Sequence, residues 1–154
     1  MNQSCQRGFT LLEMVCVLAI IAMLSAVLLP LIPRQTSRAR LQAYALEAAA
    51  LLKSDRAASI RRQVEVATRI DTPTRTVRSG VGGAVLRFPD DVDVEALLPR
   101  SCNQRPTLST ISFFPDGMSC GGAITLARAD LRLEIRVNWL TGRTDIVARP
   151  YATN

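Results

Sequence analysis

Carboxylates are the side chains of this sequence that are grouped closely enough to suggest chemistry. Four of them lie close together in one segment, Asp90, Asp91, Asp93 and Glu95. A hard cation such as Ca²⁺ prefers clustered oxygen ligands, but this spacing is not that of an EF-hand loop. Asp90 or Asp91 could equally cap a short helical piece at 92–98, because aspartate accepts hydrogen bonds from the first backbone N–H groups of a helix. We predict no metal site here, with calcium left open as the alternative.

Other routes to catalysis have little support. Histidine is absent, which removes the commonest general base, the usual zinc ligand and the partner of a nucleophilic serine or cysteine. The run G-V-G-G at 80–83 lacks the Gly-Lys-Ser/Thr ending of a phosphate-binding loop. No two cysteines form a C-x-x-C pair. We therefore expect no enzyme and no cofactor; a membrane-anchored enzyme has only scattered carboxylates in its favour.

The charge balance is basic, with a formal net charge of +6 on 154 residues. Nearly all of the cations are arginines, because Lys53 is the only lysine. They are spread along the chain, with no basic run interleaved with aromatic residues of the kind that lines a single-strand binding groove. The arginines are therefore interpreted as a solvated surface.

The segment 9–32, FTLLEMVCVLAIIAMLSAVLLPLI, is largely apolar and carries one charge, that of Glu13. As a helix it would span about 36 Å, enough to cross a bilayer. A signal peptide would have a shorter apolar region and an A-x-A-like end, and a lipoprotein cysteine would follow small residues, whereas Cys16 follows Met14-Val15. A simple anchor leaves Glu13 unexplained, since a carboxylate costs about 2.5–3.5 kcal/mol at the bilayer centre.

Helix formers continue beyond this segment to about residue 62. Leu41, Ala45, Ala48 and Leu52 recur at helical spacing, and Tyr44 and Leu51 widen the stripe, so an amphipathic helix is predicted. Arg40, Gln42, Glu47 and Lys53 would face water. Because only Pro30 and Pro33 interrupt the helix formers, the two helical parts are predicted to form one rod of roughly 80 Å, bent near these prolines.

From Val64 onward the apolar period is two, which predicts strands. The candidate strands are 64–70, 74–78, 84–88, 111–114, 123–128 and a last hairpin, LRLEIRVNWL and RTDIVA, turning at Thr141-Gly142. The segment 88–99 is predicted as a turn with a short helical piece. The expected fold is α+β, with the long N-terminal helix packed on an antiparallel sheet.

The string RGFTLLEM at 7–14 resembles the class III signal of type IV pilins and pseudopilins. The resemblance implies cleavage by a prepilin peptidase between Gly8 and Phe9, N-methylation of Phe9, and a helix kink at Pro30. It also implies that Glu13 pairs with the amino terminus of a neighbouring subunit during assembly. That pairing is chemically reasonable, because a carboxylate in a fibre core with little water needs a cation nearby.

The tail string ISFFPDGMSCGGAITL…EIRVNWLTGRTDIV resembles the GspH/FimT group, in which a strand ending in F-x-P-x-G precedes a hairpin closing on T-G-R. The resemblance implies a minor pseudopilin of a type II secretion system, placed near the pseudopilus tip with other minor pseudopilins and the major one as partners. The alternative is a FimT-like minor type IV pilin for pilus assembly or DNA uptake. DNA is a partner only under that alternative.

Topology follows from the same resemblance. Counting charges, Arg34, Arg38 and Arg40 outnumber Arg7, which would place the C-terminal domain in the cytoplasm. The peptidase acts on Gly8 from the cytoplasmic side and requires the reverse orientation. The motif therefore predicts that the C-terminal domain is periplasmic. The expected organisation is a leader at 1–8, a transmembrane and fibre-core helix at 9–32, and a periplasmic domain at 33–154, anchored by a single pass in the bacterial inner membrane.

A disulfide between Cys102 and Cys120 is implied by that periplasmic location, which is oxidising. Cleavage would remove Cys5 with the leader, and Cys16 would lie in the anchor helix. The alternative is that both remaining cysteines are reduced and serve as small apolar residues.

Overall fold

A computed structural model describes residues 10–28 and 36–150 of the chain. Several predictions from the sequence lie outside these ranges: the cleavage site at Gly8 and Phe9, the kink at Pro30, and the continuity of the two helical parts. The chain divides into two compact units between Gln35 and Thr36, and each is described by itself.

The first unit contains α1, Leu11–Leu28. Thr10 precedes it, and its hydroxyl accepts a hydrogen bond from the Glu13 backbone N–H at 3.3 Å, as a helix N-cap does. Within residues 11–25, apolar side chains occur on every face of α1 and are exposed, with Leu11 at 83% and Met23 at 74%. Across residues 10–28 and 36–150, no helix combines the length and the apolar character needed to cross a membrane.

The second unit begins with α2, Arg38–Arg62. Ser37 is its N-cap and accepts a hydrogen bond from the Arg40 backbone N–H, and Gln63 ends it in the left-handed conformation with φ 54°. The predicted stripe is confirmed: Leu41, Ala45, Ala48 and Leu52 are all buried.

Two antiparallel sheets pack against α2, where the sequence predicted one. Sheet A has the strand order β3-β2-β1-β7 and sheet B the order β10-β9-β8-β4; a small hairpin, β5-β6, stands apart. The strands are β1 Val66–Asp71, β2 Thr76–Arg78, β3 Val85–Arg87, β4 Asp93–Leu97, β5 Ser101–Cys102, β6 Arg105–Pro106, β7 Thr110–Phe113, β8 Gly122–Arg128, β9 Leu131–Val137 and β10 Thr144–Pro150.

The core lies between α2 and the inner faces of both sheets. In sheet A, Ile70, Val77 and Leu86 face one another across three strands and are buried. In sheet B, Ile124 pairs with Ile135, and both are fully buried. Period-two alternation therefore places one apolar row of each sheet against the helix stripe, as the α+β prediction required.

Two local predictions were wrong. The segment predicted to contain a helical piece forms strand β4, because Val94 and Ala96 alternate with exposed residues and the strand pairs with β8. The last hairpin does not turn tightly at Thr141-Gly142; its loop is 138–143, closed by the Asn138 N–H donating to the Arg143 carbonyl oxygen at 2.9 Å. Trp139 consequently lies in a loop and is 62% exposed.

Cys102 and Cys120 are joined by a disulfide, with their Cα atoms 5.7 Å apart. Cys102 belongs to the β5-β6 hairpin, and the Cys120 N–H donates to the Ser112 carbonyl oxygen of β7 at 3.0 Å. The bond therefore ties the small hairpin to the margin of sheet A. In the chain-entropy account, closing a loop of this size stabilises the fold by about 3 kcal/mol.

Asp55 is a carboxyl group on the buried face of α2, and it is only 1% exposed. It accepts three hydrogen bonds: from the Thr68 hydroxyl at 2.6 Å, the Ser79 hydroxyl at 2.5 Å and the Gly80 N–H at 3.0 Å. Thr68 lies in β1, and the other two begin the glycine-rich β2–β3 loop. Since buried polar groups must be hydrogen-bonded, this network fixes sheet A and its loop on the helix.

Asp55→Ala should lower the free energy of unfolding by about 2–4 kcal/mol, because it removes three hydrogen bonds and leaves the buried Thr68 hydroxyl without its acceptor. Urea denaturation of the purified full-length chain in an uncharged detergent measures this. Asp130→Ala, at an exposed turn, is the matched control and should change the free energy by less than about 0.5 kcal/mol. Equal effects from both variants would contradict the structural role of Asp55.

Candidate functional site

The two tail motifs that are separated in sequence meet in space at the C-terminal half of α2. Gly117, the last residue of F-F-P-D-G, accepts a hydrogen bond through its carbonyl oxygen from the Arg56 guanidinium at 3.0 Å. A side chain on Gly142 of T-G-R would overlap that same carbonyl oxygen and the Arg56 side chain. We call this contact of Arg56, Gly117 and Gly142 the motif junction.

A second hydrogen bond supports the motif junction from the same helix. Ser59 is fully buried, and its hydroxyl donates to the Phe114 carbonyl oxygen at 3.0 Å. Helix α2 therefore binds backbone carbonyl groups of the β7–β8 turn with two polar side chains, one turn of helix apart. These two hydrogen bonds position the β7–β8 turn on the helix.

The N-terminal end of α2 is held by a different contact, which we call the Thr36 clamp and define as Thr36, Asp91 and Arg128. The Thr36 N–H and hydroxyl both donate to the Asp91 carboxylate, at 2.7 and 2.8 Å. The Arg128 guanidinium donates to the same carboxylate at 3.0 Å and also to the Thr36 carbonyl oxygen. The hydrogen bonds from Thr36, together with Arg128, hold the pKa of Asp91 below its ordinary value.

The acidic segment that suggested calcium or helix capping is thus engaged within the chain. Asp91 belongs to the Thr36 clamp, and the helical turn that Asp90 or Asp91 could have capped is replaced by strand β4. Asp90 forms an ion pair with Arg75 at 2.8 Å. Among residues 10–28 and 36–150, no cluster of three or more histidine, cysteine, aspartate or glutamate side chains could hold a metal ion.

The remaining predicted site residues are distributed along the chain. Glu13 lies in the first turn of α1, Cys102 and Cys120 lie beside sheet A, and Gly8, Phe9 and Pro30 are outside the described ranges. Sequence reasoning missed Asp55, Arg56 and Ser59. A signal existed for Asp55 and Ser59, because both continue the helical spacing of the buried stripe, where a polar residue requires a partner.

Comparison with known proteins places the chain in the pilin-like class. The family model described as the prokaryotic N-terminal methylation motif matches residues 3–29. Two solved structures share the fold. The minor pseudopilin EpsH from the type 2 secretion system of Vibrio cholerae has a TM-score of 0.51 at 11% identity, over 74% of this chain and 98% of that one. The type IV minor pilin FimU of Pseudomonas aeruginosa also has a TM-score of 0.51, at 17% identity, over 75% of this chain and 92% of that one.

The sequence comparison is more specific than the fold. The type II secretion system protein H of Xanthomonas campestris pv. campestris is 31% identical over 136 residues, which cover 88% of this chain and 80% of that protein. The chain belongs to the family of type II secretion system protein H, a family of pseudopilins. The predicted resemblance to the GspH/FimT group is confirmed, and so is the pilin-like α+β fold.

Gly142→Ala should destabilise the fold by about 2 kcal/mol or more, because Gly142 has φ 62° and an added Cβ would overlap the Gly117 carbonyl oxygen. Gly82→Ala is the matched control, since nothing lies within 4 Å of its added Cβ; we expect no loss, and a gain of about 0.4–1 kcal/mol is reasonable for a compatible backbone. Thermal unfolding of the full-length chain compares them. Unchanged stability of Gly142→Ala would contradict the motif junction.

The Thr36 clamp should make stability depend on pH. Because the folded-state pKa of Asp91 is lowered, its contribution is fully present above the unfolded value of about 3.9 and is lost as pH falls through the lower folded value. The difference in unfolding free energy between the wild type and Asp91→Asn should therefore be largest near neutral pH and shrink below about pH 4. Urea titrations across that range measure it. Asp93→Asn, an exposed carboxyl, is the control, and an equally pH-dependent effect there would count against the clamp.

Proposed function

We propose that this chain is a minor pseudopilin of a type II protein secretion system, a structural subunit that joins the pseudopilus near its tip. The observation that carries the proposal is α1, an apolar helix with exposed side chains that lies within the segment matched by the N-methylation motif. Exposed apolar surface of this extent needs lipid or other protein to cover it. A subunit that is held in the membrane and then assembled into a fibre is covered first by lipid and then by other subunits.

The family favours a type II secretion system over the alternative, a FimT-like minor pilin of a type IV pilus. The 31% identity to a type II secretion system protein H spans 88% of this chain, whereas the likeness to the type IV minor pilin FimU, at 17% identity, concerns the fold alone. The expected partners are the other minor pseudopilins, the major pseudopilin and the prepilin peptidase. The chain would be anchored in the inner membrane by a single pass of residues 9–32, with residues 33–154 in the periplasm, and would catalyse no reaction.

The details of processing belong to the same proposal. The peptidase would cut between Gly8 and Phe9, and the new terminus of Phe9 would be methylated. Glu13 lies four residues after that terminus and would pair with the ammonium group of a neighbouring subunit. In a fibre core that excludes water, such a pair satisfies two charges that neither subunit could bury alone.

Glu13→Ala should be cleaved and remain in the membrane but fail to support secretion, because only the contact between subunits needs this carboxylate. The test replaces the chromosomal gene in the native host and measures the exported proteins in the culture medium. Ser25→Ala is the matched control in α1: its hydroxyl donates to the Ile21 carbonyl oxygen of its own helix at 2.8 Å, so secretion should be normal.

Intact-mass measurement of the wild type and both variants accompanies this experiment. The expected mass is that of residues 9–154 with a methylated terminus. An uncut chain, or one cut within the apolar segment, would contradict the proposal. Normal secretion with Glu13→Ala would contradict the role of Glu13, and normal secretion in a strain lacking the gene would contradict the function itself.

A further inference from the structure

The outer face of sheet A gathers three arginines that are well separated in the sequence. Arg69 lies in β1, Arg78 in β2 and Arg87 in β3, each at an exposed position of its strand. Arg69 stands directly opposite Arg78, and Arg87 is two residues beyond Val85, the partner of Arg78 in β3. We call these three residues the arginine face. The scattered cations that suggested only a solvated surface are concentrated here by strand pairing.

The arginine face is not neutralised within the fold. In the described part of the chain, the three guanidinium groups make no hydrogen bond or ion pair. Like charges directly opposite one another on neighbouring strands are unfavourable, so the Arg69–Arg78 pair lowers the stability of the sheet unless an anion lies between them. The three guanidinium groups are therefore available to an anionic ligand.

The surface around these arginines is concave and polar. It encloses about 550 Å³ and is lined by Arg69, Asp71, Thr74, Thr76, Arg78, Val85 and Arg87. The Asp71 carboxyl already accepts the Thr74 N–H at 3.1 Å, and the Thr74 and Thr76 hydroxyls lie 3.0 Å apart. Two hydroxyl groups, three guanidinium groups and the Asp71 carboxylate therefore line the same space, which carries a net positive charge.

We propose that the arginine face binds an extended acidic segment of another protein, one that carries carboxylates on alternate residues. Arginine recognises carboxylates through two parallel N–H donors. Diagonal neighbours on adjacent strands, such as Arg78 and Arg87, lie about 7–8 Å apart, and side chains two residues apart on an extended segment are separated by about 6.8 Å. Successive carboxylates can thus reach the Arg69–Arg78 pair and Arg87. This inference goes beyond the proposed function and does not depend on it.

Charge placement favours a protein segment over nucleic acid. The arginine face is three strands wide, about 10 Å at the usual strand spacing, which limits it to few phosphates. The affinity for duplex DNA at physiological salt comes largely from the phosphates that a protein neutralises, so three arginines would contribute little. Asp71 lies within the surface, and its carboxylate repels phosphate and carboxylate alike. The preference for a short acidic segment therefore rests on the small size of the arginine face.

The test uses the purified full-length chain in an uncharged detergent and a fluorescent peptide of alternating glutamate and threonine, followed by anisotropy. A peptide with glutamine in place of glutamate is the ligand control. The triple variant Arg69→Gln, Arg78→Gln and Arg87→Gln should bind the acidic peptide at least about tenfold more weakly, as expected when charged partners of an interface are removed.

The protein control removes the same charge elsewhere, with Arg40→Gln, Arg61→Gln and Arg105→Gln at exposed positions, and its affinity should change by no more than about twofold, since distant exposed charges are screened. The melting temperature of the first triple variant should equal or exceed that of the wild type, because like-charge repulsion is removed. The proposal would be overturned if both triple variants lost affinity equally, or if the glutamine peptide bound as well as the acidic one. It would also be overturned by a lower melting temperature in the first triple variant, or by tighter binding of a DNA duplex than of the acidic peptide at physiological salt.

Discussion

A carboxyl group inside a protein must have its oxygens hydrogen-bonded, and Asp55 lies in the middle of the helix face on which both sheets pack. Its donors come from β1 and from the loop between β2 and β3, so α2 and sheet A have one relative position that satisfies it. The apolar residues of the stripe would tolerate small shifts of the helix along the sheet. The directional hydrogen bonds to Asp55 would not tolerate such shifts, so they fix the position of the helix on sheet A.

The two ends of α2 use the same principle. Arg56 and Ser59 bind carbonyl oxygens of the β7–β8 turn, and Thr36 binds Asp91 just before β4. The motif F-x-P-x-G and the motif T-G-R are thereby explained as one structure. Each supplies a glycine with a positive φ: Gly142 lies against the Gly117 carbonyl oxygen, Gly117 lies against the Arg56 side chain, and Arg56 contacts both. A pair of motifs that marks a family can thus reflect packing at a helix end, without any ligand.

Much of this fold could be predicted from the sequence because the relevant signals are local. The stripe from Leu41 to Leu52 and the alternation from Val66 to Ile70 each depend on one element. Strand β4 was missed because the acids of 90–95 obscure the alternation of Val94 and Ala96, and they suggested a helix cap. The division into two sheets could not be predicted, since alternation shows which side of a strand is buried but not which strand it pairs with. The arginine face was missed for that reason: Arg69, Arg78 and Arg87 become neighbours only through the registers of two hairpins.

The Thr36 clamp has a mechanical consequence. Thr36 is the first residue of the second unit and is 2% exposed, and its N–H, its hydroxyl and its carbonyl oxygen are all bound to residues far away in the chain. A pull on the preceding segment would therefore load the bonds to the loop before β4 and to the end of β8 as well as the first turn of α2. Several bonds loaded together resist more tension than bonds that open one after another. The first turn of α2 would then bear only part of the force at the point where the chain enters the folded unit.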